Sequence, residues 1–150
     1  IASTMYTWLT AFDSYTSYTC LPVPVSTVIT GKISSFSVLQ VIPVVFMSII
    51  SIVSGQVVFL IPAVILCLSI SYYALGVTIW LSGLSPHILV NDVTLMVRYF
   101  FLLGLAAAIF SSLAFMDPIL AVGSVILIIP AWFFVRIGCR KWDSMEQLSF

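Results

Sequence analysis

Apolar residues run along this chain in long unbroken stretches separated by brief polar breaks, rather than alternating at every second position. From Ile33 to Pro86 there is no charged residue, a run of 54 positions, whereas about 20 residues of helix cross a bilayer core of about 30 Å. The run predicts two crossings, span A over about Ile33–Val53 and span B over about Val57–Leu81, joined by a tight hairpin at Ser54, Gly55 and Gln56. A longer polar connection follows, from Gly83, Pro86 and His87 through Asn91 and Asp92 to Arg98. Span C then covers about Tyr99–Met116, Asp117 and Pro118 make a turn, and span D covers about Ile119–Val135. Backbone amides in hydrocarbon must be satisfied within their own segment or in a closed barrel, and the ten-residue alternating strands of a barrel are not seen. The expected fold class is all-α, a polytopic membrane helical bundle of about four transmembrane helices.

Composition agrees with this pattern. Hydrophobic residues make up 62% of the chain and charged residues 7%, with five Lys or Arg, five Asp or Glu and one His. A water-soluble domain of this size carries charge over most of its surface, so the expected partner is a lipid bilayer and no nucleic acid is expected. The chain starts at Ile1 without the basic segment and small-residue cleavage site of a secretory signal, and reads as a fragment or a processed product. Cys20, Cys67 and Cys139 are odd in number and far apart, so neither a disulfide framework nor a metal cluster is expected.

Residues 1–32 mix Ser, Thr and Tyr with scattered apolar positions and are punctuated by Pro22 and Pro24 before Gly31 and Lys32. They read as an interfacial segment, with residues 1–12 equally readable as the stub of an earlier span because Met5, Tyr6, Trp8, Leu9 and Phe12 suit a membrane interface. Residues 33–137 form the four-span domain and 138–150 a tail in water. Lys32, Arg98, Arg136, Arg140 and Lys141 all fall on one side of a four-span arrangement, while the two opposite turns carry only Asp117. An excess of Lys and Arg marks the cytoplasmic side, which places both termini there in a multi-pass protein of the cell membrane. Arg136, Arg140, Lys141 and Trp142 read as the anchor that stops span D, the cations meeting anionic headgroups. Pro43, Pro62 and Pro130 fall inside spans A, B and D, where each removes one helical hydrogen bond and tends to kink the helix. Gly104 with Ala108 has the four-residue spacing of close helix contacts.

Candidate chemistry is sparse. Ionisable residues deep in a membrane are the default pointer to ion or substrate sites, and the four spans contain none. Ser48, Ser51, Ser69, Ser71, Thr78, Ser111 and Ser112 offer hydroxyls for a polar path, although such side chains more often bond back to their own helix or to a neighbour. Gly31 and Lys32 lack the first glycine of a phosphate-binding loop, since Ser26 stands at that position. His87 and Asp92 are too few ligands for zinc and read as loop caps. No catalytic residue and no cofactor is expected.

The stretch Leu21, Pro22, Val23, Pro24, Val25, Ser26, Thr27, Val28, Ile29, Thr30, Gly31, Lys32 resembles the segment that precedes the closely spaced spans in the C-terminal half of type-2 ABC exporter permeases. The loop Ser82, Gly83, Leu84, Ser85, Pro86 with Asn91, Asp92 and Val93, and the tail Arg140, Lys141, Trp142, are similar to members of that class as well. The resemblance implies that Asp13, Leu21, Pro22, Pro24, Ser26, Gly31 and Lys32 couple the chain to a soluble ATPase subunit. It further implies that a second permease copy or a sister membrane subunit completes the transport path. Two features depart from the family pattern: the acidic residue before the coupling element is reduced to Asp13, and the turn at Asp117 and Pro118 is too short for re-entrant helices. The rival expectation is a non-catalytic accessory subunit of a larger respiratory or secretion assembly, for which spans without charge are equally suited.

Overall fold

The computed structural model describes residues 25–82 and 92–147, with side chains described for 27–82 and 92–141. The described residues are helical and hold no strand: α1 (Val25–Leu39), α2 (Val41–Val53), α3 (Leu60–Ser82), α4 (Val93–Met116) and α5 (Ile128–Gln147), with 3-10 helices over Val57–Phe59 and Pro118–Leu127. They assemble into four helical stretches long and apolar enough to cross a membrane, Thr27–Val53, Val57–Ser82, Val93–Met116 and Pro118–Lys141. The fold is therefore the all-α, four-span arrangement that the apolar runs foretell.

Three boundaries lie beyond the last charge that the sequence pattern offers as a limit. The first helix includes Lys32 instead of starting after it. The helix of span C starts at Val93 because Asp92 caps it, accepting hydrogen bonds from the Thr94 and Leu95 amides at 2.9 and 3.4 Å. The last helix continues past Arg136 to Gln147. Long basic side chains can leave a helix sideways and reach water, so a cation near a span end does not stop the backbone from staying helical.

The prolines sit where they cost least. Pro43, Pro62 and Pro130 are each the third residue of an α-helix, α2, α3 and α5 respectively. First-turn amides have no acceptor one turn back within their own helix, so a proline there withdraws little. Each proline thus marks a restart of α-helix within a span. Across the first restart the span stays joined, since the Gln40 N–H donates to the Phe36 carbonyl at 3.0 Å and the Val44 N–H to the Gln40 carbonyl at 3.4 Å.

Span D begins with ten residues of 3-10 helix, longer than such segments usually run. Its three residues per turn put Ala121, Ser124 and Leu127 on one line, and these are its buried positions. That line faces α3, the central helix, which is buried without a gap from Tyr73 to Ile79. A helix apolar on all sides belongs in the middle of a bundle. Around it Ile29 and Phe36 of α1 pack with Ala74, Leu75 and Ile79, and Tyr99 of α4 packs with Tyr73, Val77, Leu127 and Ala131. By contrast α2 buries no residue and α4 only Tyr99.

Close approach of α3 and α5 depends on glycine. A Cβ added at Gly76 would stand 2.7 Å from the Ala131 carbonyl oxygen, and one at Gly138 would stand 2.9 Å from Ile79 Cγ2. Backbone cannot yield at the first of these points. Gly76→Ala is expected to destabilise the bundle by about 1–3 kcal/mol, while Gly104→Ala, whose added methyl meets nothing within 4 Å, is expected to be neutral or mildly stabilising. Unfolding of both variants in one detergent checks this; because both gain the same helix propensity, equal stabilities would show that α3 and α5 do not meet at Gly76.

Candidate functional site

Two regions collect polar chemistry, one at an end of the bundle and one in its interior. Ile29 and Ile79 pack with Val135 and Cys139, and Leu81 and Trp80 with Leu95 and Tyr99, so the start of the first and third spans and the close of the second and fourth share one end. All five cations of the chain belong to that end. Lys32, Arg98 and Arg136 each stand five positions inside the limits of their spans, about 7.5 Å along a helix at 1.5 Å per residue. Arg136 lies over the ring of Trp132, one turn earlier, with its guanidinium carbon 5.0 Å from the ring centroid. Such stacking suits a membrane interface, where an aromatic ring and a cation each keep one side in water.

Of the residues singled out for partner coupling, Asp13, Leu21, Pro22 and Pro24 lie outside the described residues. Ser26 is in the first turn of α1. Gly31 is exposed with open space around it, whereas the adjoining Lys32 is buried to 8% exposure. The Gly-Lys pair is thus divided, one residue facing outward and one inward. Among the anchor residues, Arg136, Arg140, Lys141 and Trp142 all lie on α5. His87 lies outside the described residues, and Asp92 serves as the cap of α4.

The opposite end is almost uncharged. Asp117 there accepts from the Ile119 amide at 2.9 Å and caps the 3-10 helix. Beside the other turn, Met47, Ser51, Gln56, Phe59 and Ala63 help to line an open cleft of about 270 Å³. Its serines are already engaged, Ser51 donating to the Gln56 carbonyl and Ser54 to the Ile50 carbonyl, each at 2.8 Å.

Inside the spans several hydroxyls bond back to their own helix. Ser48 donates to the Val44 carbonyl at 2.8 Å, Thr78 to Ala74 at 2.7 Å, Ser82 to Thr78 at 2.8 Å and Ser112 to Ala108 at 2.7 Å. Between helices, Tyr72 Oη donates to Ser37 Oγ at 2.9 Å while its ring meets Phe36 edge-on at 6.0 Å. Three buried oxygens have no hydrogen-bond partner among the described residues: Gln40 Oε1, Tyr99 Oη and Ser124 Oγ. None of these was among the sequence candidates. Gln40 had a signal, as the one amide in the interior of span A, and Ser124 had another, as the middle of the three-residue series Ala121, Ser124, Leu127. Among the described residues no three His, Cys, Asp or Glu side chains come together to hold a metal.

Four spanning helices with their cations at one end and no charge near their midpoints define a multi-pass α-helical membrane protein. Comparison with family models, curated proteins and solved structures finds no match to this chain. With Cys20, Cys67 and Cys139 replaced by Ser, single cysteines at the exposed Thr27 and Arg140 are expected to react with an impermeant thiol reagent from one face of sealed vesicles, and a cysteine at the exposed Gln56 from the other. Reaction of the first two from different faces would overturn the four-span arrangement.

Proposed function

We propose that this chain is the membrane-spanning permease component of an ATP-driven exporter, placed in a cell membrane with both ends and the Gly83–Arg98 loop in the cytoplasm. Three features support the reading: the resemblance at Leu21–Lys32, the gathering of all five cations at one end, which is the cytoplasmic mark, and the apolar outer surface. The observation that carries it is the unequal burial of the helices. The central helix α3 fills the middle of the bundle, while α2 buries nothing and α4 buries one residue. A transport route would then run beside this chain rather than through it, against the outer helices of a second copy or a sister permease. ATP hydrolysis on a separate subunit would drive the movement, and this chain would supply the wall of the path.

A specific observation favours the rival role, an accessory subunit of a larger membrane complex. Residues 25–32 form the opening turns of the first helix, and Ile29 and Lys32 are buried in the bundle rather than held out as an arm. The two roles part at Pro24 and Gly31. Gly31 has nothing within 4 Å of an added Cβ, so Gly31→Leu with Pro24→Ala is expected to leave membrane insertion and helix content unchanged. In the permease role the double variant loses co-purification of the ATPase and loses export in whole-cell assays. Retention of both by the variant would favour the accessory role.

A further inference from the structure

Span A changes character at the end of α1. Its inward stripe, Ile29, Lys32, Phe36 and Gln40, is buried up to that point. The stripe continues at helical spacing through Val44, Met47 and Ser51 of α2, yet all three are partly exposed. From 41 to 68, a stretch described throughout, no residue is buried. The polar contacts divide at the same place. Ser37 of α1 is held by Tyr72 of α3 at 2.9 Å, whereas Ser48, Ser51 and Ser54 of the hairpin donate within it, to the carbonyls of Val44, Gln56 and Ile50. Between α2 and the start of α3 lies the cleft already described, with Met47, Ile50 and Ser51 on one wall and Phe59, Leu60 and Ala63 on the other. The α2 helix thus turns the right face toward α3 without closing on it.

We propose that α2 is a hinged half-span, which pivots at Gln40–Pro43 and at Val57–Phe59 between the parted position of this structure and one closed against α3. At the first joint Pro43 has no N–H for the Leu39 carbonyl, and the Val44 N–H reaches the Gln40 carbonyl at 3.4 Å, beyond the usual range of such bonds. At the second joint Gln56 leaves helical geometry, with φ −101° and ψ 46°, and one 3-10 turn leads to α3. Pro62 in the opening turn of α3 has no N–H for the Val58 carbonyl. Between the joints the body is stiff, because the Gln56 N–H donates to the Ser51 carbonyl at 3.0 Å and the Ser51 hydroxyl to the Gln56 carbonyl at 2.8 Å. Few buried contacts oppose the movement, which is the condition for a segment to open locally. A kink change of about 20° in a helix of about 20 Å displaces its far end by roughly 7 Å and its near end hardly at all. Closing would bring Met47 and Ser51 against Leu60 and Ala63 and remove the cleft; parting opens it to membrane lipid. The hinge does not depend on whether the chain acts as a permease or as an accessory subunit.

The test is pulsed electron–electron double resonance on the full chain in liposomes, with Cys20, Cys67 and Cys139 replaced by Ser. Spin labels are carried by Ile129→Cys paired with Val41→Cys or with Val53→Cys, all three positions being exposed. The Val53–Ile129 pair is expected to show two distance populations, separated by up to about 7 Å, and the Val41–Ile129 pair one. Pro43→Ala, which restores an amide at the first joint, is expected to merge the two populations into one while circular dichroism shows the helices retained. A single narrow population at Val53 would overturn the proposal, as would equal spread at Val41 and Val53 or two populations that survive Pro43→Ala.

Discussion

Hydrocarbon offers no hydrogen bonds, and every feature of this structure answers to that one deficiency. A backbone that cannot bond to solvent must bond to itself, so the long apolar runs become helices. The same demand governs the exceptions. Helix starts leave amides without acceptors, and here two of them are met by aspartates, Asp92 at α4 and Asp117 at the 3-10 helix. Prolines, which have no amide to donate, stand in opening turns where a donor has little to do. Serine and threonine hydroxyls turn to the carbonyl one turn earlier and so disappear as polar groups.

Once polar groups are satisfied locally, lipid gives no hydrophobic reason for helices to associate, because a lipid tail is as apolar as a leucine. Association must come from fit. The fit is closest where side chains are smallest: Gly76 admits the Ala131 backbone, and Gly138 admits Ile79. The 3-10 winding of span D contributes in a second way. At 3.6 residues per turn, Ala121, Ser124 and Leu127 would drift around the helix, whereas at three per turn they form a straight edge that lies against α3. Past Leu127 the chain returns to α-helix, and the buried series continues after a four-residue step at Ala131.

The number of spans and their order were legible from the long charge-free runs and the uncharged break at Ser54, Gly55 and Gln56 that divides the first of them, because excluding ionised groups from oil is the largest energy in the problem. The limits of the spans were less so. Lys32, Arg98 and Arg136 marked edges in the sequence, yet each lies inside a helix, since a long basic side chain separates the position of its charge from the position of its backbone. The prolines were read as interior kinks; relative to the spans they are interior, but relative to the α-helices they are beginnings, and only the local switch to 3-10 geometry or the break at Gln40 reveals that. Gln40 and Ser124 escaped notice for a different reason. A neutral polar residue in an apolar run is unremarkable until its neighbours are known, and it was the failure to find a carbonyl or hydroxyl in reach that set these two apart from Ser48 or Ser112.

The distribution of burial bears on function more than any single side chain. A bundle that worked alone as a path would be expected to keep its centre open and its polar groups turned toward the opening. This one places its most thoroughly buried helix at the centre and turns the hydroxyls of its outer helices back upon their own carbonyls. Its outer helices consequently present apolar outward faces, with Gly104 and Ala108 exposed and offering backbone rather than bulk on α4. Surfaces of that kind can meet lipid or another helix at similar cost, and small residues tip the balance toward helix because they allow backbones to approach. The fold is thus better suited to being one wall among several than to enclosing a passage, and that property belongs equally to half of a transporter and to a subunit that fills space between others.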